Sequence, residues 1–254
     1  MTLLSLQGVT RRFGGLVAVD AIDLDVAQGG VTAVIGPNGA GKTTLFNMIS
    51  GFQTPNAGRV VFAGQDITAR PPEEIAAAGL VRTFQLVQLF QNLSVLENIQ
   101  VGCHLHTKGG VISALVRTRG TRQAEREVEA RARELLGFVG LETAVDAEAS
   151  ALPYGQQRLL EIARSLAARP RLLLLDEPAA GLSADETKRL SAAIRAIAKR
   201  GTTVLLIEHD MKLVMNTADT IAVLDFGRKV AEGPPAQIRQ DPAVIAAYLG
   251  VGHA

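Results

Sequence analysis

Short runs of consecutive apolar residues recur along the chain, separated by segments whose apolar positions follow the spacing of a helix. The runs at Val31–Ile35, 172–175 and 204–207 are almost wholly apolar, and residues 221–224 form a similar fourth run. Continuous apolar runs are typical of strands that are buried on both faces of a parallel sheet. The pattern therefore predicts an α/β core.

Two segments next to these runs predict helices. Residues 42–50 follow a glycine-rich turn after the first run, so this part of the chain has the order strand, loop, helix. Ala184–Lys199 lies between the second and third runs, has apolar positions at helical spacing and ends just before Gly201, a stop signal. It is the expected crossover helix between two parallel strands.

A second region predicts antiparallel strands at the margin of this sheet. Residues 5–26 and 59–67 alternate apolar and polar positions, and turns are expected at Gly14, Gly15 and Gly64.

The region from about 93 to 168 is charged and predicts helices. One apolar stripe consists of Val128, Ala132, Leu135 and Val139. Around it, Glu127 with Arg131 and Glu129 with Arg133 are spaced for i,i+4 ion pairs. Because acids and bases are interleaved, the pattern favours a solvated helix over a nucleic-acid-binding one.

Charge and length limit the class of protein. The chain has 254 residues, of which 47% are hydrophobic, and 26 Lys and Arg against 25 Asp and Glu give a formal net charge of +1. This length suits one or two domains with a buried core. Near-neutral charge argues against a partner held by bulk electrostatics, because nucleic-acid binders that act through counterion release have a basic excess.

A single cysteine limits the chemistry further. Cys103 alone can form neither an intramolecular disulfide nor a thiolate zinc site, which suits a reducing cytoplasm. Cys103, His104 and His106 lie close in sequence, but three soft ligands without a fourth make a metal site the disfavoured interpretation. No apolar run approaches the roughly 20 residues that span a bilayer, and the first arginines follow the apolar stretch, the wrong order for a secretory signal. Any membrane role is expected to come through a partner.

A phosphate-loop motif, G-x-x-x-x-G-K-[ST], follows the first apolar run, between a strand and a helix, where this motif is most specific. Its residues are Gly36, Pro37, Asn38, Gly39, Ala40, Gly41, Lys42 and Thr43. Glycines let successive backbone N–H groups converge on phosphate oxygens, and the following helix directs its positive end at the same anion. Lys42 is expected to neutralise the β- and γ-phosphates, and Thr43 to bind Mg²⁺.

Two acids end the run at 172–175. Asp176 is the candidate magnesium ligand, usually through water, and Glu177, whose side chain is expected to point elsewhere, is the candidate general base for an attacking water. His209 follows the next run and could bond the γ-phosphate or the water. Taken alone, Gln85 and Phe13 are uninformative, although an exposed aromatic could stack on a purine.

These residues, in this order, resemble the ATP-binding cassette (ABC) family of transporter ATPases over nearly the whole chain. The specific addition is a signature-like segment before the strand with the two acids. Its residues are Leu152, Pro153, Tyr154, Gly155, Gln156 and Gln157.

The resemblance implies one ABC ATPase domain over residues 1–254, with a P-loop NTPase (RecA-like) core, an antiparallel β subdomain and an α-helical subdomain at about 88–168. Residues 234–254 would form a short C-terminal tail of this domain. The resemblance also implies ATP and Mg²⁺ as cofactors, and nucleotide contacts that extend to Thr44 and to Phe13 as the adenine-stacking aromatic. On the family's pattern Gln85 would sense Mg²⁺ and the γ-phosphate, and residues 86–98 would face a membrane subunit.

The expected assembly is a head-to-tail dimer, with two ATP molecules held between the phosphate loop of one subunit and the signature of the other. Proline at 153 has neither a hydroxyl nor an N–H to offer the opposing γ-phosphate, so Tyr154, Gly155 and a helix expected to start at Gln156 would make that contact. Ser183 stands where the family often has aspartate.

A finer resemblance is to the larger ATPase subunit of bacterial branched-chain amino acid importers, the LivG type, which is similar to importers of urea and short amides. It is carried by the signature segment with Tyr154 and by segments 177–182, 207–215 and 245–250. It implies a peripheral protein on the cytoplasmic face of a bacterial membrane. Its partners would be two permease subunits, a second identical or sister ATPase subunit and, indirectly, a periplasmic or extracellular solute-binding protein, with no nucleic acid.

The principal hypothesis is thus an ATPase subunit that drives solute import. The alternatives are an ATPase for lipid or polysaccharide export and a soluble ABC ATPase that acts on nucleic acid. A small-molecule kinase is disfavoured, because Glu177 and His209 are placed to activate water.

Overall fold

The computed structural model describes residues 1–103 and 119–249, and side chains within these ranges except those of 119–122 and 249. The described chain forms two compact units, one made of Met1–Gln85 with Arg171–Ala254 and the other of Leu86–Pro170. His104 and His106 lie outside the described residues, as do residues 250–254 of the expected tail.

The first unit contains two sheets and the second contains helices. The strands are β1 (Thr2–Phe13), β2 (Leu16–Ala27), β3 (Val31–Ile35), β4 (Ala57–Phe62), β5 (Gln65–Asp66), β6 (Leu80–Arg82), β7 (Leu172–Asp176), β8 (Thr203–Ile207), β9 (Thr220–Asp225) and β10 (Arg228–Gly233). The helices are α1 (Lys42–Ile49), α2 (Pro72–Ala77), α3 (Val95–Gly102), α4 (Arg119–Val139), α5 (Tyr154–Ala167), α6 (Ala184–Lys199), α7 (Met211–Thr217), α8 (Pro235–Ile238) and α9 (Pro242–Leu249).

The larger sheet has the strand order β10-β9-β3-β8-β7-β6. All neighbours are parallel except β10 and β9. All four apolar runs are strands of this sheet, and β3, β7 and β8 are buried along their full length, which explains why their sequences do not alternate. The crossover helix α6 has the predicted bounds.

The smaller sheet is antiparallel, in the order β2-β1-β4-β5, and confirms antiparallel strands in residues 5–26 and 59–67. These strands form a sheet of their own, so their predicted place at the margin of the larger sheet is wrong. Gly14 and Gly15 form the turn between β1 and β2, where Gly14 has φ 56°. One hydrophobic cluster connects the two sheets, with Leu4 and Leu6 of β1, Phe46 of α1 and Leu174 of β7 among its members. It fixes the start of α1 against the larger sheet.

The second unit contains α3, α4 and α5, and the expected helical subdomain lies within its bounds. The predicted ion pair between Glu129 and Arg133 is present, with an Nη2–Oε1 distance of 2.9 Å. The predicted pair of Glu127 with Arg131 is wrong: Arg131 pairs with Glu134, at 2.7 Å. Three-residue and four-residue spacings both bring side chains together on a helix, so the sequence did not decide between the two partners.

Across residues 1–103 and 119–249, no helix combines the length and the apolar character that a membrane span requires.

Candidate nucleotide-binding site

The phosphate loop connects β3 to α1, and its three glycines have backbone conformations that side chains rarely adopt. Gly36, Gly39 and Gly41 have φ values of 152°, 83° and 96°. A Cβ on Gly36 would lie 2.1 Å from the carbonyl oxygen of Leu224, and one on Gly41 would lie 2.3 Å from that of Ala18. Real Cβ atoms do not approach oxygen so closely, so these two positions require glycine.

Lys42 is held inside this loop. Its Nζ donates hydrogen bonds to the carbonyl oxygens of Gly36, at 2.7 Å, and Pro37, at 2.9 Å. Burial lowers the pKa of Lys42, and the nearby charges of Glu177 and Asp176 oppose that shift. An ammonium that donates to backbone carbonyls next to a glycine cradle fits a phosphate ligand.

The remaining residues of the motif lie around this cradle. Asn38 and Gly39 are exposed, Ala40 is buried and Pro37 is intermediate. Thr43 is exposed in the first turn of α1 and Thr44 is partly buried beside it. An exposed hydroxyl at Thr43 is available to a metal ion at the mouth of the loop.

Asp176, the last residue of β7, is buried and paired. Its Oδ2 accepts a hydrogen bond from Nη2 of Arg82 at 2.6 Å, and the two side chains are 7% and 6% exposed. The same guanidinium donates from Nη1 to Asn47 Oδ1, at 2.7 Å, and to Ser50 Oγ, at 3.0 Å. Arg82 therefore connects Asp176 to the end of α1.

Sequence reasoning did not identify Arg82 as part of this site. The guanidinium carbon also lies 5.7, 5.8 and 5.2 Å from the ring centres of Phe46, Phe52 and Phe84. One indication of this role was present in the sequence: Arg82 ends a short apolar segment three residues before Gln85. An arginine buried at such a place needs a partner of opposite charge.

Glu177, Gln85 and His209 come together beside Asp176. The Glu177 Oε2 atom accepts a hydrogen bond from Gln85 Nε2 at 2.9 Å and lies 3.7 Å from His209 Nδ1. Glu177 has φ 45°, an uncommon value for a residue with a side chain, and its amide donates to the Ile207 carbonyl at 3.0 Å. The carboxylates of Asp176 and Glu177 therefore have different partners, Arg82 for the first and Gln85 for the second.

Glu208 is a further residue that the sequence analysis missed. Its carboxylate is completely buried and accepts from the amides of Ala179, at 2.8 Å, His209, at 3.0 Å, and Asp210, at 3.3 Å. Burial raises the pKa of Glu208, and these three backbone hydrogen bonds oppose that shift. A glutamate directly after a buried strand was the only sequence signal.

Phe13 lies at the tip of the β1–β2 hairpin. Its side chain is 41% exposed, and the Arg11 guanidinium carbon lies 4.8 Å from the centre of its ring. One face of the ring is therefore already used by a cation. An exposed ring of this kind is suited to stacking on a base.

The signature segment belongs to the second unit, and its helix begins earlier than predicted. α5 starts at Tyr154 after Pro153, whereas a start at Gln156 was expected. The amides of Gln156 and Gln157 donate to the Pro153 carbonyl, at 2.9 and 3.0 Å. The helix thus begins two residues before the predicted start, and Tyr154 and Gly155 belong to its first turn.

Buried ionic contacts hold the start of α5 in place. Arg158 pairs with Glu161 at 2.7 Å, and both side chains are 1% exposed. The other terminal nitrogen of Arg158 donates to the Tyr154 hydroxyl at 3.1 Å. Glu161 in turn accepts from the amide of Gln88 at 3.1 Å, and burial raises its pKa. Tyr154 is thereby fixed from within its own helix.

Cys103 is buried and burial raises the pKa of its thiol. Among the residues with defined positions, no group of three His, Cys, Asp or Glu could hold a metal ion by itself. Mg²⁺ is usually bound through one or two carboxylates together with waters and substrate phosphates.

Two family models match the sequence. Residues 19–180 match the model described as ABC transporter. Residues 228–254 match the model described as branched-chain amino acid ATP-binding cassette transporter.

Curated relatives cover almost the whole chain. The chain is 47% identical over 249 residues to the high-affinity branched-chain amino acid transport ATP-binding protein BraF of Pseudomonas aeruginosa, with 98% of each chain covered. The figures are the same for LivG of Escherichia coli strain K12, which carries the same description. A probable LivG of Archaeoglobus fulgidus is 38% identical over 250 residues, which are 98% of this chain and 96% of the relative.

Solved structures of nucleotide-binding cassettes share this fold. A nucleotide-free ATP-binding cassette from an ABC transporter superposes with a TM-score of 0.84 at 33% identity, covering 98% of this chain and 99% of the other. The ADP conformation of an ATP-binding cassette of an ABC transporter gives a TM-score of 0.85 with the same identity and coverage.

Proposed function

Because this chain belongs to the ABC transporter family of ATP-binding subunits, we propose that Glu177, Gln85 and His209 form the hydrolytic centre for ATP held on residues 36–43. The chain is the ATP-hydrolysing subunit of a branched-chain amino acid importer and uses ATP with Mg²⁺. The observation that carries the residue assignment is the convergence of these three side chains at the ends of adjacent strands, next to Lys42.

The phosphate loop supplies the binding contacts. Lys42 would exchange its carbonyl partners for the β- and γ-phosphates, and the backbone amides of the loop would bond the remaining oxygens. Thr43, Asp176 and Gln85 would hold Mg²⁺, which neutralises phosphate charge when it is bound. Phe13 would stack on adenine.

Glu177 would act as the general base. Its carboxylate is bonded to Gln85 and is close to His209, so one oxygen is positioned while the other can accept the proton of a water. The imidazole of His209 would bond the γ-phosphate from the neighbouring strand end. The positive φ of Glu177 supports a side chain held in one functional direction.

The chain works with membrane subunits, as the ATP-binding subunit of a membrane transporter, and is membrane-associated in that sense. We propose two permease subunits at the cytoplasmic face of a bacterial membrane, contacted by residues 86–98, and an extracytoplasmic solute-binding protein that acts through them. Exposed Leu86 and Phe90, which are 74% and 48% accessible, support a docking role for this segment.

The working unit on this proposal is a single cassette domain paired head to tail with a second copy or a sister subunit. Tyr154, Gly155 and Gln156 of one subunit would close on nucleotide held by the other. Here Tyr154 and Gly155 would supply the first-turn amides of α5, which suit an anion. Hydrolysis would then release the closed pair, a two-state change biased by nucleotide.

The decisive experiment is Glu177→Gln in the transporter complex. ATP turnover should fall by at least about 100-fold, because general-base catalysis is lost, while Mg-ATP affinity and ATP-dependent pairing of the ATPase subunits persist. Turnover near that of the unmodified protein would refute the role of Glu177.

A matched test of binding is Lys42→Ala, measured with a fluorescent ATP analogue. Affinity should drop by about tenfold or more, since a charge-assisted contact contributes roughly 1.5–3 kcal/mol. Undiminished affinity would refute the phosphate-loop assignment. Gln237→Ala on the short helix α8 is a suitable surface control.

A further inference from the structure

Glu208 is a completely buried carboxylate that bonds to two separate loops. One oxygen accepts from Ala179, two residues after Glu177, at 2.8 Å. The other accepts from His209 at 3.0 Å and Asp210 at 3.3 Å. The loop after β7 and the loop after β8 therefore share one side chain.

Burying such a group is costly unless its lone pairs are used. Removing a carboxylate from water costs several kcal/mol, and hydrogen bonds from backbone amides to a charged oxygen are among the few contacts that offset this cost. Glu208 has three of them, in two directions. An apolar residue at the end of β8 would avoid the cost, so the contacts themselves account for the glutamate.

The two loops carry Glu177 and His209, whose side chains lie close together. Glu177 Oε2 and His209 Nδ1 lie 3.7 Å apart, and Glu208 Oε2 lies 3.9 Å from the same nitrogen. Apart from the sheet ladder, the loops share one further hydrogen bond, from the Glu177 amide to the Ile207 carbonyl at 3.0 Å. That bond fixes the start of the first loop only.

We propose that Glu208 is a positioning residue, which ties the Glu177 loop to the His209 loop so that the general base and the phosphate contact move as one body. This inference rests on the proposed function, because it assumes that Glu177 and His209 act in hydrolysis. Glu208 itself touches neither water nor phosphate in this role. Its effect is on the step after nucleotide binding, since Lys42 and the phosphate loop are not among its partners.

The test uses Glu208→Gln and Glu208→Asp in the transporter complex, each with and without His209→Ala. Glutamine keeps the shape but replaces one acceptor by an NH₂ donor, which would face at least one backbone amide in either orientation. Aspartate keeps the charge but is one methylene too short to reach both loops. Steady-state kcat and KM are measured, together with the affinity for a fluorescent ATP analogue.

Both Glu208 variants should lower kcat by at least about tenfold, because a small misplacement of catalytic groups is enough for such a loss. KM and nucleotide affinity should stay within about twofold, which also shows that the variants fold. In the His209→Ala background, Glu208→Gln should add less than a twofold loss, because the group that it positions is already gone.

A purely structural role would give a different pattern. The loss of kcat would then be equal in both backgrounds, or Glu208→Asp would behave as the unmodified protein, and either result overturns the proposal. Asp219→Asn is the matched control: it removes a carboxylate that accepts from the Val31 amide at 2.9 Å at the opposite end of the same sheet, and kcat should not change.

Failure of this inference can be told from failure of the proposed function. If Glu177→Gln and His209→Ala each lower kcat strongly while Glu208→Gln leaves kcat unchanged, only the positioning role is wrong. If Glu177→Gln and His209→Ala both retain normal turnover, the proposed hydrolytic centre itself is wrong.

Discussion

A phosphate loop can need glycine because of its backbone conformation or because a Cβ would clash, and Gly39 and Gly41 differ in this respect. Their φ values, 83° and 96°, are similar, so a side chain would be strained at either position. A Cβ on Gly39 would meet nothing within 4 Å, whereas one on Gly41 would lie 2.3 Å from the Ala18 carbonyl oxygen. Of these two glycines, Gly41 alone combines conformational strain with close backbone contact.

Gly39→Ala should therefore cost about 1–2 kcal/mol of unfolding free energy, from backbone strain alone. Gly41→Ala should cost roughly 1–3 kcal/mol more, because the loop or β2 must move to relieve the clash. Urea unfolding of the nucleotide-free protein measures both. Equal losses for the two variants would show that the contact with Ala18 is not important.

The buried side chain of Arg82 connects three secondary-structure elements. It lies at the end of β6, pairs with Asp176 at the end of β7 and bonds Asn47 and Ser50 at the end of α1. Breaking one partner of such a pair leaves the other charge buried without compensation, which is more costly than removing both.

Arg82→Met is accordingly expected to lower the unfolding free energy by about 3–5 kcal/mol. The double variant Arg82→Met with Asp176→Asn should recover part of this loss, since the uncompensated carboxylate is gone. Chemical denaturation of the single and double variants tests the coupling. A double variant less stable than Arg82→Met alone would contradict the interpretation.

Ser183 has a local role as a helix cap. It is the N-cap of α6: its hydroxyl accepts from the Glu186 amide, and the Glu186 carboxylate accepts from the Ser183 amide at 2.8 Å. Serine and aspartate are both good N-caps, so either residue starts this helix.

Ser183→Ala should lower the unfolding free energy by about 1 kcal/mol. Ser183→Asp should lower it by no more than a few tenths of a kcal/mol. Thermal and urea unfolding provide the measurement. Ser94, which caps α3 in the second unit with the same reciprocal pattern, offers a matched site where the alanine variant should behave alike. A full loss with aspartate would mean that the capping bond is not the main contribution.

The charge of the complete chain bears on the nucleic-acid alternative. With 26 basic and 25 acidic side chains, counterion release offers little gain for DNA binding. In the described part of α4, acids and bases pair with each other, as in Arg133 with Glu129 and Arg131 with Glu134. These two pairs offset the charge of two arginines in the described part of the helix.

Adding duplex DNA should leave the ATPase rate unchanged, within about twofold, at both low and physiological salt. The assay is steady-state hydrolysis by the purified protein with and without DNA. Stimulation that falls steeply with salt would revive the nucleic-acid alternative.

The contiguous parts of this protein were predictable from its sequence. The phosphate loop, the acids at the end of β7, the buried strands and the bounds of α6 depend on a few neighbouring residues, because glycine conformation, helix spacing and strand burial are local properties. The family resemblance added the grouping of Gln85, Glu177 and His209, which the structure places in contact range.

Other features depended on which strands became neighbours. Arg82 and Asp176 are 94 positions apart, and Glu208 and Ala179 are 29 apart, so neither contact has a local signal. The start of α5 and the partner of Arg131 were missed because several near-equal local choices existed, and packing selected one. The sequence thus determined which chemical groups are present and in what order. The tertiary fold decided which buried charges and amides form hydrogen bonds with one another. The physical reason is desolvation: a buried polar group must find its partner among the distant chain segments that fold next to it.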